Sequence, residues 1–123
     1  LLADKKLDYL HISLTRYDRK TNLPEYQEKS MLAYVHDAIG GRVPLISVGD
    51  VRTRADVEAA LAHSEIVAAG CSSLIDPNWS AKILANRDAE IRQKLNVQDR
   101  DLLMIANGTY GFMKLKVPDR LVE

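Results

Sequence analysis

Two glycines, Gly49 and Gly70, mark where this chain can do chemistry. Each ends a short apolar run, residues 45–48 (LISV) and residues 66–69 (IVAA). A glycine lets the backbone approach a ligand closely, and the N–H groups that open a following helix favour an anion. Behind Gly70 stand three further reactive side chains, the Cys71 thiol and the Ser72 and Ser73 hydroxyls. A helix start lowers a thiol pKa, so Cys71 reads either as a reactive thiol or as a small buried residue. Ser72 and Ser73 read as hydroxyl donors or as helix caps.

The elements that must position these residues form a repeating pattern. Between the two runs lies a helical segment, residues 53–63. Thr53 is a good N-cap, and Asp56 supplies the acidic half of a capping box. Val57, Ala60 and Leu61 give its apolar stripe, with Arg52, Arg54 and Glu58 off it. Apolar run, glycine, helix, apolar run, glycine is the pattern of a βαβ unit with parallel strands. Both glycines then lie at the carboxyl ends of their strands, where such folds bind ligands.

An earlier strand extends the pattern. Residues 7–14 (LDYLHISL) alternate, with Leu10, Ile12 and Leu14 on one face and Tyr9, His11 and Ser13 on the other. The polar face is expected to look into a barrel or a ligand site, or else His11 is a packed, hydrogen-bonded histidine. The following strands divide in the same way. Ile46 and Val48 are expected to pack under helices with Val67 and Ala69, while Ser47, Gly49, Ala68 and Gly70 face inward. The segment TRYDRKTNLP, residues 15–24, is a polar loop leaving the first strand. Arg16, Tyr17, Arg19 and Lys20 are placed to meet an anionic or aromatic ligand, although a solvated loop is the plainer reading. Residues 25–39 read as one helix on the stripe Met31, Leu32, Val35, Ala38 and Ile39, ended by Gly40 and Gly41.

Beyond Gly70 the pattern weakens. Asp76–Pro77 is a turn before a short helix that carries Trp79, Ile83 and Leu84. A polar helix is expected over residues 88–95. Another begins at Asp99, runs through Leu102, Leu103 and Ile105, and ends at Asn107–Gly108. The last residues, 109–123, show no clear period.

Composition narrows the classes. The chain has 123 residues, enough for one domain with a real core. Its 17 basic and 17 acidic residues cancel, with no basic block, which argues against a nucleic-acid partner. No apolar stretch is long enough to span a membrane. A single cysteine cannot form an internal disulfide, which fits a cytoplasmic location. The chain starts without methionine or a signal pattern, and residues 1–6 resemble the last turn of a helix. It is therefore expected to enter mid-fold, as a fragment of a longer protein.

Taken together, LDYLHISLTRYDRK, PLISVGDVRTRADVEAALA and EIVAAG followed by LIDPNW resemble the carboxyl-terminal part of the old yellow enzyme family of FMN-dependent NAD(P)H:flavin oxidoreductases. The resemblance covers residues 1–84 and fades in the tail. It implies an α/β fold, a partial (β/α)8 TIM barrel of three parallel βα units (strands six to eight) followed by a helical or irregular tail, residues 85–123. It implies that Gly49, with Asp50 and Val51 beside it, and Gly70, with Cys71, converge on the FMN phosphate. Cys71 stands where the family usually carries an arginine, and a thiol cannot replace that charge-assisted contact, so the expected hold on FMN is weakened. The full-length relative would pass hydride from NAD(P)H through FMN to a small-molecule acceptor such as an activated alkene. Its flavin-ring contacts and its substrate-binding His/Asn or His/His pair come from the first five units. His11, His36 and His63 do not map to that pair, so no catalytic residue and no metal ligand is assigned here. Two other readings remain: a phosphate-binding barrel of a non-flavin biosynthetic enzyme, and a stand-alone interaction module. Three strands cannot close a barrel, so the outer strands should leave edges that favour a homo-oligomer or other edge-to-edge association.

Overall fold

The computed structural model describes residues 2–122, in two compact units that meet between Gly70 and Cys71. The first is built on β1 (Leu10–Ser13), α1 (Met31–Ile39), β2 (Leu45–Val48), α2 (Arg54–Leu61) and β3 (Ile66–Ala68). The strands form one parallel sheet in the order β1-β2-β3, with Leu10 opposite Leu45 and Ile46 opposite Ile66. Parallel neighbours need a crossover between them, and here each crossover carries a helix. The α/β class and the parallel order expected from the sequence are both present.

Element boundaries differ from expectation for local reasons. β1 begins at Leu10 rather than Leu7, because its ladder starts where Leu10 N–H meets the Pro44 carbonyl and ends where Leu14 N–H meets Val48. The helix expected over residues 25–39 is two pieces. Pro24–Tyr26 is a 3-10 turn, and α1 starts after Ser30, whose hydroxyl accepts the Ala33 N–H at 3.1 Å. Gly40 ends α1 in the left-handed conformation, φ 58°, with its N–H on the His36 carbonyl. Thr53 and Asp56 close the expected capping box at the start of α2.

The side chains of β2 face the opposite way from the sequence reading. Leu45 and Ser47 are the buried pair, while Ile46 and Val48 are only half-buried. Register puts Ile46 and Val48 on one face with His11, Ser13, Ile66 and Ala68, and both His11 and Ser13 are exposed. The reason is a hydroxyl pair. Ser47 Oγ lies 2.8 Å from Ser64 Oγ, and Ser64 Oγ donates to the Ala60 carbonyl at the end of α2. A buried polar group is tolerated where it finds a partner, and the covered face supplies one.

The second unit comprises α3 (Cys71–Ile75), α4 (Trp79–Leu84), β4 (Leu95–Asn96), α5 (Asn107–Lys116) and β5 (Leu121–Val122), with β4 and β5 parallel. Its core joins Ile75, Leu95, Ile105 and Met113, with Leu103, Tyr110, Val117 and Leu121 packed on them. Three expectations fail here. Only Asp88–Glu90 turns, as a 3-10 turn, in the stretch read as a polar helix. The helix expected from Asp99 is absent, and Val97–Asp99 is another 3-10 turn. Asn107–Gly108, read as a helix end, instead opens α5, the longest helix of the unit. The overlooked signal is the spacing of Tyr110, Met113 and Val117, which is helical.

Tertiary partners account for the extended stretch after Glu90. The Arg92 N–H donates to Asp76 Oδ2, the Gln93 carbonyl accepts from buried Arg120, and Leu95 pairs with Leu121. Asp76 is a hub. It also accepts Lys82 Nζ at 2.6 Å and the Asn78 N–H at 3.1 Å. Burial alone would raise this carboxyl, but the Lys82 ammonium and the amides of Arg92 and Asn78 outweigh it and hold the pKa below the usual range. A depressed carboxyl stabilises the fold above its unfolded pKa, about 3.9, and that contribution fades as pH falls through the folded value. Asp76→Ala should therefore lower stability by about 2–4 kcal/mol at neutral pH, because it leaves two amides without their acceptor and takes the carboxylate from a part-buried ammonium. Denaturant melts of both proteins from pH 7 to pH 2 should show the difference shrinking below pH 4. A constant difference across that range would contradict this role.

Candidate functional site

β2 and β3 are adjacent and parallel, with Val48 opposite Ala68, so Gly49 and Gly70 leave the sheet at the same edge. Asp50 and Val51 follow Gly49, and Cys71 follows Gly70 as the first residue of α3. Cys71 is a half-buried free thiol.

The two glycines serve different ends. A Cβ built on Gly49 would lie 2.4 Å from the Tyr17 nitrogen, 2.6 Å from the Arg16 carbonyl carbon and 2.9 Å from the Tyr17 Cα. Gly49 is therefore a glycine because the loop after β1 lies against it, an approach sealed by the Tyr17 N–H on the Gly49 carbonyl at 2.8 Å. A Cβ on Gly70 would meet nothing within 4 Å. Open space beside a glycine at a strand's carboxyl end is what close approach of a ligand requires.

Asp50 is a left-handed residue, φ 47°. Its carboxylate takes Arg52 Nε and Nη2 in a two-pronged pair of 2.6–3.0 Å, and only 15% of its side chain is exposed. Val51 is buried. The start of α2 is closed by Asp56, whose Oδ2 accepts the Arg52 N–H at 3.0 Å and the Thr53 N–H at 2.8 Å. Tyr17 Oη donates to Asp56 Oδ1 at 3.0 Å. Burial raises the Tyr17 pKa, and the bond to Asp56 raises it further. Burial would also raise Asp56, but the Thr53 and Arg52 amides and the Thr53 and Tyr17 hydroxyls together lower it.

Of the loop side chains singled out by sequence, Arg16 forms a bidentate pair with Asp18, and Arg19 donates to Thr15 Oγ1. Tyr17 turns to Asp56. Sequence reasoning missed the Asp50–Arg52 pair and the Tyr17–Asp56 bond. The first had a signal, opposite charges two residues apart in a turn. The second joins residues 39 apart and had none. The contrast between the glycines is testable. Gly49→Ala should cost about 1–3 kcal/mol, because backbone must move to admit the methyl group. Gly70→Ala should stay within about 0.5 kcal/mol of the parent. Denaturant melts decide this, and equal losses would contradict it.

No family model matches the chain. Two curated proteins do. The probable NADH-dependent flavin oxidoreductase YqiG of Bacillus subtilis (strain 168) is 33% identical over 101 residues, 81% of this chain. The NADH:acrylate oxidoreductase of Vibrio harveyi is 29% identical over 126 residues, 99% of this chain. The chain spans 27% of the length of the first and 12% of the second. One relative named as an NADH-dependent flavin oxidoreductase and one named as an NADH:acrylate oxidoreductase, together with the parallel α/β sheet, support an old yellow enzyme-like family for this chain, at modest identity and over a small part of each relative.

Proposed function

We propose that this chain is the carboxyl-terminal part of an FMN-dependent NAD(P)H oxidoreductase, built as a (β/α)8 barrel, and that it supplies the end that holds the FMN phosphate. The observation that carries this reading is the match of 81% of the chain to a relative named as an NADH-dependent flavin oxidoreductase and of 99% to one named as an NADH:acrylate oxidoreductase. In barrels the phosphate site follows the seventh and eighth strands. β2 and β3 are their counterparts in this reading, with Gly49, Asp50, Val51, Gly70 and Cys71 after them.

The donor set suits the phosphate in part. The open space at Gly70 admits close approach. Arg52 is a guanidinium at this edge, held by Asp50. Cys71 adds no charge where the resemblance calls for arginine. FMN, when bound, supplies the relay of hydride between NAD(P)H and the acceptor. The residues of this chain hold and orient its phosphate.

The 123-residue chain alone should bind FMN weakly or not at all and should not oxidise NADH, because most of a cofactor's surface is buried in its site and the ring contacts lie elsewhere. The complete gene product should bind FMN and show its absorbance band. In it, Cys71→Arg should tighten FMN binding about tenfold to a hundredfold through a charge-assisted hydrogen bond. Flavin-fluorescence titrations measure all three. A complete protein that binds no FMN would sink the reading and favour a barrel acting on a phosphorylated, non-flavin substrate. No change on Cys71→Arg would remove Cys71 from the site.

A further inference from the structure

The loop after β1 grips the turn after β2 at both ends. At one end the Tyr17 N–H donates to the Gly49 carbonyl at 2.8 Å. At the other, Tyr17 Oη donates to Asp56 Oδ1, and Asp56 Oδ2 accepts the amides of Arg52 and Thr53. One residue thus closes a ring of hydrogen bonds around residues 49–53. Inside that ring Asp50 holds φ 47°, a left-handed conformation uncommon outside glycine and best tolerated by asparagine and aspartate. The Asp50–Arg52 ion pair spans the same turn.

We propose that Tyr17 is a positioning residue for phosphate binding: its hydroxyl, through Asp56, holds the turn of residues 49–53 in the conformation that receives the phosphate of FMN. This rests on the FMN reading above and adds to it a residue from a different strand's loop. The physical basis is preorganisation. A turn already ordered before the ligand arrives loses little conformational freedom on binding, whereas a loose one must be ordered at the expense of affinity. Tyr17 bonds the turn at Gly49 and, through Asp56, at Arg52 and Thr53, so in this reading its influence falls on the phosphate end.

Riboflavin shares the ring and ribityl chain of FMN and lacks the phosphate, so the ratio of the two affinities isolates that end. The test uses the complete gene product with Tyr17→Phe, which keeps the aromatic ring and removes only the hydroxyl. The Kd for FMN should rise about fivefold to tenfold, less than the roughly tenfold to hundredfold of a direct hydrogen bond to a charged group because Tyr17 acts through the turn, and the Kd for riboflavin should not change. Asp56→Asn should shift the same ratio, and the double variant should lose no more than the worse single variant, because the Tyr17 hydroxyl acts on the turn through Asp56. An equal loss of both flavins would mean general loosening and would overturn the proposal, as would an unchanged FMN Kd or additive losses in the double variant. A parent protein with no preference for FMN over riboflavin would remove the phosphate site itself, and both readings would fall together.

Discussion

The parallel pairing of β2 on both sides is the constraint from which the first unit follows. β1 and β3 both run in its direction, so every strand ends at the same edge of the sheet. The chain must return to the opposite edge after each strand, which demands a crossover, and α1 and α2 fill that role. The loops that follow the strands are therefore crowded together. Gly49 records that crowding, because the backbone of Tyr17 lies where a side chain would be. At the end that barrels use for ligands, the loop after β1 thus packs closely on the turn after β2.

Polar groups are buried here only where a partner is waiting. Ser47 goes under α2 because Ser64 and the Ala60 carbonyl are there to complete its hydrogen bonds. Asp76 is buried because an ammonium and two amides converge on it. Arg120 is buried with its Nε on the Gln93 carbonyl. In the second unit these anchors do the work that a regular ladder does in the first. They satisfy backbone groups along a stretch that is neither helix nor sheet, which a compact unit must otherwise leave exposed to water.

The same accounting separates fold from chemistry in the motifs. LIDPNW is one of the stretches on which the sequence resembles a flavin oxidoreductase, yet its aspartate is engaged in holding α4 and the segment after Glu90. Trp79 is buried as well. Gly49 is likewise explained by contact with Tyr17. A motif residue can thus mark ancestry by shaping the scaffold. Gly70, with open space beside it, is the glycine whose freedom the fold itself does not use.

Local signals in the sequence were enough for the parallel strands, the helices between them, the Thr53–Asp56 capping box and the left-handed Gly40, because each depends on neighbours within a few residues. Gly49 and Gly70 were read from a signal of the same kind, a glycine ending an apolar run, and the parallel pairing brings both to the same end of the sheet. Tertiary structure decided what local signals cannot carry. It chose which face of β2 is buried, since Ser47 finds its partner in Ser64 across the helix crossover. It straightened residues expected to form a polar helix, since Asp76, Arg120 and Leu121 claim their backbone. It joined Tyr17 to Asp56 across 39 positions. A hydrogen bond or a strand pair between distant residues outweighs local preference once the chain has been brought together, and the pattern of nearest neighbours holds no record of it.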